Sequence, residues 1–474
     1  MLKYDLKGYR IFVFLFIVFL SFSTALLLIG DLSKPNYYSF LFVLPLTFAV
    51  LSVVFAKLYE EIMRNLGITV LLILLFVRMV ISPLFMLLGS YAGTIEHNVS
   101  SNTLMAIILV SYEALCLFLF LFVKIQNIKA SKKKYIVEEY VIRPRITRSY
   151  KWILAVAVAA LVVCIFVAPG IMDTYRSITQ IGDKDFTSHE DAYVVTKYAT
   201  SFTLKFALVT GQYLFRALIV IVPSFLIIQL AKKNTRARAL FGLIFCFIPF
   251  FFISGTIAKT LIYSICLFML HNYMFHNGYL SKNSIYIVAL GGIAVIVWWL
   301  FRSSGGNMNI MMQFSRRFSS YFSGVNVVSG AFNLPNGVEY RIRYFFNDFM
   351  RSIPYGTTIF GLKFDTVQRF FNAYNFSSGQ IPPTIGMGCY YFGPILAPIY
   401  SLVFANIACD AGEFLKRKQF GNPIRCLRLL LTVFYFSMGV VMYNIDIALT
   451  TFFSLLFPMY IMEKIGYKKG VKVQ

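Results

Sequence analysis

About twelve stretches of mostly apolar residues, each close to bilayer length, constrain this 474-residue chain more than any other feature. A spanning helix needs roughly 20 such residues, because hydrocarbon offers no partner to an open backbone. The stretches are 11–30, 37–56, 68–89, 103–123, 152–170, 206–230, 239–255, 257–275, 285–301, 384–405, 427–443 and 447–461. They predict an all-α polytopic membrane protein of about 12 transmembrane helices, with residues 1–474 as a single integral membrane domain. Composition agrees: 58% of residues are hydrophobic and only 14% are charged. The first stretch follows Lys3, Lys7 and Arg10. It is too long for the apolar core of a cleaved leader and lacks a small-residue cleavage site, so it reads as a retained signal anchor.

The formal net charge of +24 points first to cytoplasmic loops, which are rich in Lys and Arg in membrane proteins. No soluble basic domain exists to carry nucleic-acid binding, so no nucleic acid is implied. Four basic clusters fall on one face when the spans are counted as above. They are Lys129 to Arg148, Lys232 to Arg238, Lys416 to Arg425 and Lys464 to Lys472. Both termini are then cytoplasmic. The opposite face receives two long loops, 171–205 and 302–383. Loops of this length are functional or disordered, and neither has low-complexity composition.

The 302–383 loop is Arg-rich on the side where basic residues are scarce. It carries Arg316, Arg317, Arg341, Arg343, Arg351 and Arg369, a set suited to an anionic partner. Within it, Asn336-Gly337-Val338-Glu339 reads as a helix start with Asn336 as cap and Glu339 reaching back. Pro354 limits the helix. Val338, Ile342, Phe345, Phe346 and Phe349 recur at helical spacing, and Arg341, Tyr344, Asp348 and Arg351 form a second stripe. The spacing predicts an amphipathic helix lying at the membrane interface. Its polar stripe reads either as an anion clamp or as a solvated face with an Asp348–Arg351 surface pair.

Charges inside apolar stretches are costly and face a polar cavity, a partner or the interface. Arg78, Arg216 and Lys259 are in that position. The outward acids available as a general base are Asp173, Asp183, Asp185, Glu190, Asp191, Glu339, Asp348 and Asp365. The four histidines have no zinc-like spacing, and GxxxxGK[ST], DxD and GxSxG are all absent. No metal or other cofactor is implied. The seven cysteines are isolated and read as small hydrophobes.

The stretches Phe252-Ile253-Ser254-Gly255-Thr256-Ile257-Ala258-Lys259 and Arg317-Phe318-Ser319-Ser320-Tyr321-Phe322-Ser323-Gly324 carry a resemblance. So do Arg341 through Gly361 and Pro383-Thr384-Ile385-Gly386 with Phe392-Gly393. Together with the span pattern they resemble the bacterial Wzy-type polymerases of O-antigen, capsule and exopolysaccharide repeat units. Some members carry Arg-X10-Gly repeats in outer loops; here Arg351 to Gly361 and Arg369 to Gly379 are each one residue short of that spacing.

The resemblance implies a GT-C-type membrane glycosyltransferase in the cytoplasmic (inner) membrane. Donor and acceptor would be undecaprenyl-pyrophosphate-linked oligosaccharides, with a flippase and a chain-length regulator as expected partners. Arginines would stabilise the departing pyrophosphate, and Asp348 would take the acceptor hydroxyl proton. The expected catalytic residues are Asp348, Arg341 and Arg351. The expected substrate-binding residues are Arg316, Arg317, Arg343, Arg369, Arg216, Lys259 and Tyr344. Two alternatives remain open on sequence: a lipid-linked oligosaccharide flippase, and a glycan ligase of the same superfamily. A flippase would show two matched halves and short outer loops, unlike this chain.

Overall fold

The computed structural model describes residues 6–62, 64–95, 100–131, 147–173, 175, 201–232, 235–253, 257–276, 309–356, 367–377, 379–416 and 422–466. The described residues are helical. In chain order the α-helices are α1 (Leu6–Gly30), α2 (Val43–Val54), α3 (Leu66–Phe76), α4 (Ser82–Leu88), α5 (Ser100–Ser131), α6 (Arg148–Val167), α7 (Gly170–Asp173) and α8 (Phe202–Leu230). Next come α9 (Arg236–Phe245), α10 (Ile257–His276), α11 (Ile310–Tyr321), α12 (Val325–Ser329), α13 (Val338–Ser352) and α14 (Val367–Tyr374). The last five are α15 (Thr384–Phe392), α16 (Ile399–Lys416), α17 (Pro423–Val441), α18 (Ile445–Thr451) and α19 (Phe457–Gly466).

Eight segments are long and apolar enough to cross a membrane: Gly8–Gly30, Asn36–Val54, Leu66–Leu88, Ser101–Asn127, Arg148–Val167, Phe202–Leu230, Pro423–Val441 and Ile445–Ile465. This is the pattern of a polytopic helical membrane protein. Each overlaps one of the twelve expected stretches. Two other stretches are not single helices. The 239–255 stretch breaks after Phe245 into a 3-10 turn, Ile248–Phe251, where Pro249 removes a backbone donor. The 384–405 stretch breaks at Gly393, whose φ of +82° ends α15, followed by Pro394. The 257–275 stretch forms the single helix α10, but Lys259, His271 and Asn272 dilute its apolar character. The 285–301 stretch, nearly all of the 171–205 loop and the basic 132–146 segment lie outside the described residues.

The centre of the bundle is α3 against α16 and α17. Small residues permit that approach: a Cβ on Gly67 would run into the Ala408 carbonyl, and one on Gly412 into the Asn65 side chain. Asn65 caps α3 by accepting from Ile68 N (3.3 Å) and donates to Cys409 O (3.2 Å), tying the two helices end to side. The segment from Asn309 onward is not a detached lobe. Asn326 accepts from the Thr94 and Ile95 amides (2.9 Å each) and donates to Ile95 O (3.0 Å). Phe314 and Phe318 pack on Phe85 of α4 at 5.2 and 4.7 Å between centroids. All seven cysteines are free.

Candidate functional site

Helix α13 carries the site. It ends at Ser352, as Pro354 requires, and begins after Gly337 without a side-chain cap. The expected Asn336 cap is not formed, because the Asn336 side chain accepts from Arg341 Nη2 instead. Val338, Ile342, Phe346 and Phe349 are exposed, whereas Tyr344, Asp348 and Ser352 are buried. The helix therefore turns its polar stripe into the protein and its apolar face outward. Lipid satisfies such a face and water does not. The solvated-face reading of the polar stripe is corrected by this burial.

At the C-terminal end of α13, groups from five helices converge. Arg351 Nη1 lies 3.6 Å from Asp446 Oδ2, at the first turn of α18. Ser352 Oγ is 3.1 Å from Asp446 Oδ1, and Thr450 Oγ1 is 3.4 Å from the same oxygen. Lys259 of α10 feels both Arg216 of α8 and Asp446. Tyr213, one turn before Arg216, feels Arg216, Arg351 and Asp446 together. Tyr391 donates its hydroxyl to Asp348 Oδ2 (3.0 Å). Burial, and then the neighbouring Asp446 carboxylate, push the Asp348 carboxyl up to about 8, against the smaller opposing pull of Tyr391 and Arg351.

The charge count of this cluster is unbalanced. Arg216 and Arg351 contribute two cations, and Lys259, which burial and then Arg216 pull down to about 8, contributes a third near neutrality. Asp348 holds a proton near neutrality, which leaves Asp446 as the one carboxylate against them among the described residues. Arg216 and Lys259 have no carboxylate within ion-pairing distance among the described residues. Among the described residues, two positive charges are thus left without a counter-charge. Tyr355, at φ +60°, closes one side. Its hydroxyl is 2.5 Å from Thr210 Oγ1, and its ring stacks on Phe206 at 5.3 Å, fixing the end of α13 to α8.

Other expected site residues lie elsewhere. Arg341 is ten residues before Arg351 on α13, about 15 Å along the axis, so the two guanidinium groups do not form one clamp. Arg341 sits over the Tyr390 ring at 5.7 Å. Tyr344 is buried and stacks on Phe370 at 4.2 Å. Arg316 and Arg317 are on α11, which packs against α4; Arg343 is exposed on α13 and Arg369 is exposed on α14. The expected surface pair Asp348–Arg351 is replaced by Arg351–Asp446.

Arg78 is a different case. It lies in a π turn, Val77–Ile81, is 1% exposed, and bonds Glu113 Oε2 at 2.6 Å. Its Nε donates to Ser323 O (3.0 Å), and Ser401 donates to the other Glu113 oxygen. The Arg317 to Gly324 stretch therefore meets Arg78 through a backbone carbonyl, in a packing contact. Sequence reasoning missed Asp446, Tyr391 and Tyr213. A signal existed for Asp446: an acid at the first turn of an apolar stretch, two residues after the capping residue Asn444, which accepts from Ile447 N at 2.9 Å. Compared with family models, curated proteins and solved structures, the chain finds no match.

Proposed function

We propose that this protein is a Wzy-type membrane polymerase that joins undecaprenyl-pyrophosphate-linked repeat units into a surface polysaccharide. The observation that supports this reading is the cluster at the end of α13, where two surplus positive charges adjoin a carboxyl pair at a membrane-embedded bundle. A sugar bound through pyrophosphate brings negative charge of that size, and more develops on the leaving oxygen as the glycosidic bond breaks. Arg351, Arg216 and Lys259 hold the pyrophosphate. The acceptor hydroxyl oxygen attacks the anomeric carbon, its proton passes to the Asp348–Asp446 pair, and the C–O bond electrons leave with the pyrophosphate. The pair shares the proton bookkeeping, so the role belongs to both carboxyls. The basic clusters favour cytoplasmic termini, which would leave this site outside, where the lipid-linked units are presented.

The test is twofold. A deletion strain accumulates single repeat units on lipid; a ligase loss leaves long lipid-linked polymer, and a flippase loss leaves units stranded inside. Purified protein in lipid makes polymer from isolated lipid-linked units, and does so in EDTA. Loss of polymer in EDTA with recovery on adding magnesium would assign the charge stabilisation to a metal instead.

A further inference from the structure

The displacement of Arg341 from Arg351 leaves a second constellation at the N-terminal end of α13. The Tyr390 hydroxyl is within electrostatic reach of Arg341, Tyr340 and Tyr374, so a guanidinium and three phenols gather there. Tyr340 stacks on Phe370 at 6.1 Å, and Tyr374 meets the same ring edge-on at 4.9 Å. Tyr340 and Tyr374 flank a buried ring while remaining 44% and 47% exposed. Arg341 Nε has no hydrogen-bond partner among the described residues, although Nη2 reaches Asn336 and the guanidinium covers Tyr390.

Exposed tyrosines in a membrane protein invite a simpler reading, the aromatic belt at the lipid interface. The helix geometry argues against it. At about 100° per residue, Tyr340 points roughly 170° away from the face formed by Val338, Ile342, Phe346 and Phe349. If lipid covers that apolar face, Tyr340 is turned from the lipid. It lies instead nearly in line with Arg351, three turns further on and about 16 Å away. The same side of α13 thus presents tyrosine rings at one end and the charge cluster at the other.

We propose that Tyr340, Tyr374, Arg341 and Asn336 form a carbohydrate subsite that holds a pyranose ring of the glycan whose reacting end lies at the Arg351–Asp446 cluster. The aliphatic C–H face of a pyranose complements the negative face of an aromatic ring. Its hydroxyls need paired donors and acceptors at fixed angles, which the planar guanidinium, the Asn336 amide and the tyrosine hydroxyls supply. The proposal rests on the polymerase reading for the identity of the glycan, but binding does not require turnover. The separation lets remote binding energy align the reacting hydroxyl.

The probe is the soluble oligosaccharide freed by mild acid from lipid-linked units of the deletion strain. Saturation transfer from the purified full chain in lipid to this glycan reports binding. Tyr340→Ala, Tyr374→Ala and Arg341→Ala each weaken it by roughly tenfold, and Phe19→Ala, at an exposed position on α1, leaves it unchanged. Unaltered melting of the Tyr340→Ala and Tyr374→Ala proteins separates loss of a contact from loss of fold. No glycan binding by the wild-type protein overturns the subsite, and so does equal binding by the Tyr340→Ala/Tyr374→Ala double variant. A melting loss or altered lipid insertion in that variant, with glycan binding intact, assigns the rings to the interface. If the glycan binds through these residues while the protein makes no polymer, the polymerase reading fails and the subsite stands.

Discussion

Two groups of buried charge in this protein invite comparison. At Arg78, one guanidinium meets one carboxylate at 2.6 Å, a serine hydroxyl takes the second carboxylate oxygen, and a backbone carbonyl takes Nε. At the end of α13, Arg351 pairs with Asp446, Lys259 and Arg216 stand nearby without an ion-pair partner among the described residues, and burial raises the Asp348 carboxyl to about 8. The first group is balanced in charge, with Arg78 Nη2 left without a hydrogen-bond partner among the described residues, and it links the π turn after α3 to α5, α16 and the turn after α11. Among the described residues the second is left open by two charges. A balanced pair serves packing, whereas an unbalanced group can accept an anion, because an uncompensated charge in such a place is otherwise costly.

The comparison breaks most visibly if Arg78 proves dispensable for folding. Arg78→Ala leaves Glu113 buried without its partner, a loss of about 3–5 kcal/mol. Against a typical stability of about 5–15 kcal/mol, that loss empties the membrane of protein. Arg78→Met combined with Glu113→Leu recovers much of the abundance, since a packed apolar pair replaces the ion pair without an orphan. Immunoblots of membrane fractions and detergent melting curves read both effects. Normal abundance with lost polymer in Arg78→Ala would move Arg78 into the substrate site.

The open cluster should behave the other way round. Arg351→Ala, Arg216→Ala and Lys259→Ala each lower polymerisation by about 10²–10³ while abundance and melting hold. Melting holds because each substitution removes a cation from a group already too positive. Arg351→Lys restores activity only partly, since the ammonium lacks the planar fork. Polymer length and initial rate from purified lipid-linked units are the readouts. A melting loss in step with the activity loss would place these residues with Arg78 as packing charges.

What the sequence made legible follows from the range of each signal. Apolar stretches are local, so eight spans and the end of α13 before Pro354 could be read directly. The breaks in the 239–255 and 384–405 stretches were also marked, by Pro249 and by Gly393-Pro394, but total hydrophobicity outweighed them. Partnerships across the bundle were not legible. Glu113 is 35 residues from Arg78, and Ser401 is 288 from Glu113, with no periodicity linking them. Asp446 meets Ser352 across 94 residues. The stripe on α13 was read correctly as a stripe, yet its burial could not be, since that depends on which helices cover it. Arg341 and Arg351 share the stripe, but the axial rise separates them.

The smallest effect sharpens the comparison at Asp348, through pH. Its carboxyl is raised from the ordinary 3.8 to about 8 by burial and by Asp446. The folded protein therefore keeps a proton across a window in which the unfolded chain has lost it. Where the folded state binds more protons, stability falls as pH rises. The contribution is complete below the ordinary aspartate value and is lost as pH climbs through about 8. Asp348→Asn mimics the protonated acid and keeps an acceptor for the Tyr391 hydroxyl, which bonds Asp348 Oδ2 at 3.0 Å. The wild-type melting temperature should decline from about pH 5 to about pH 9, and the Asp348→Asn protein should show a flatter profile. Arg351→Ala should carry the decline to higher pH, because Arg351 is one of the groups that favour the ionised form. Parallel wild-type and Asp348→Asn curves would mean that Asp348 ionises freely in the folded protein. The cluster would then hold two carboxylates against three cations, and one surplus charge would remain for a ligand instead of two.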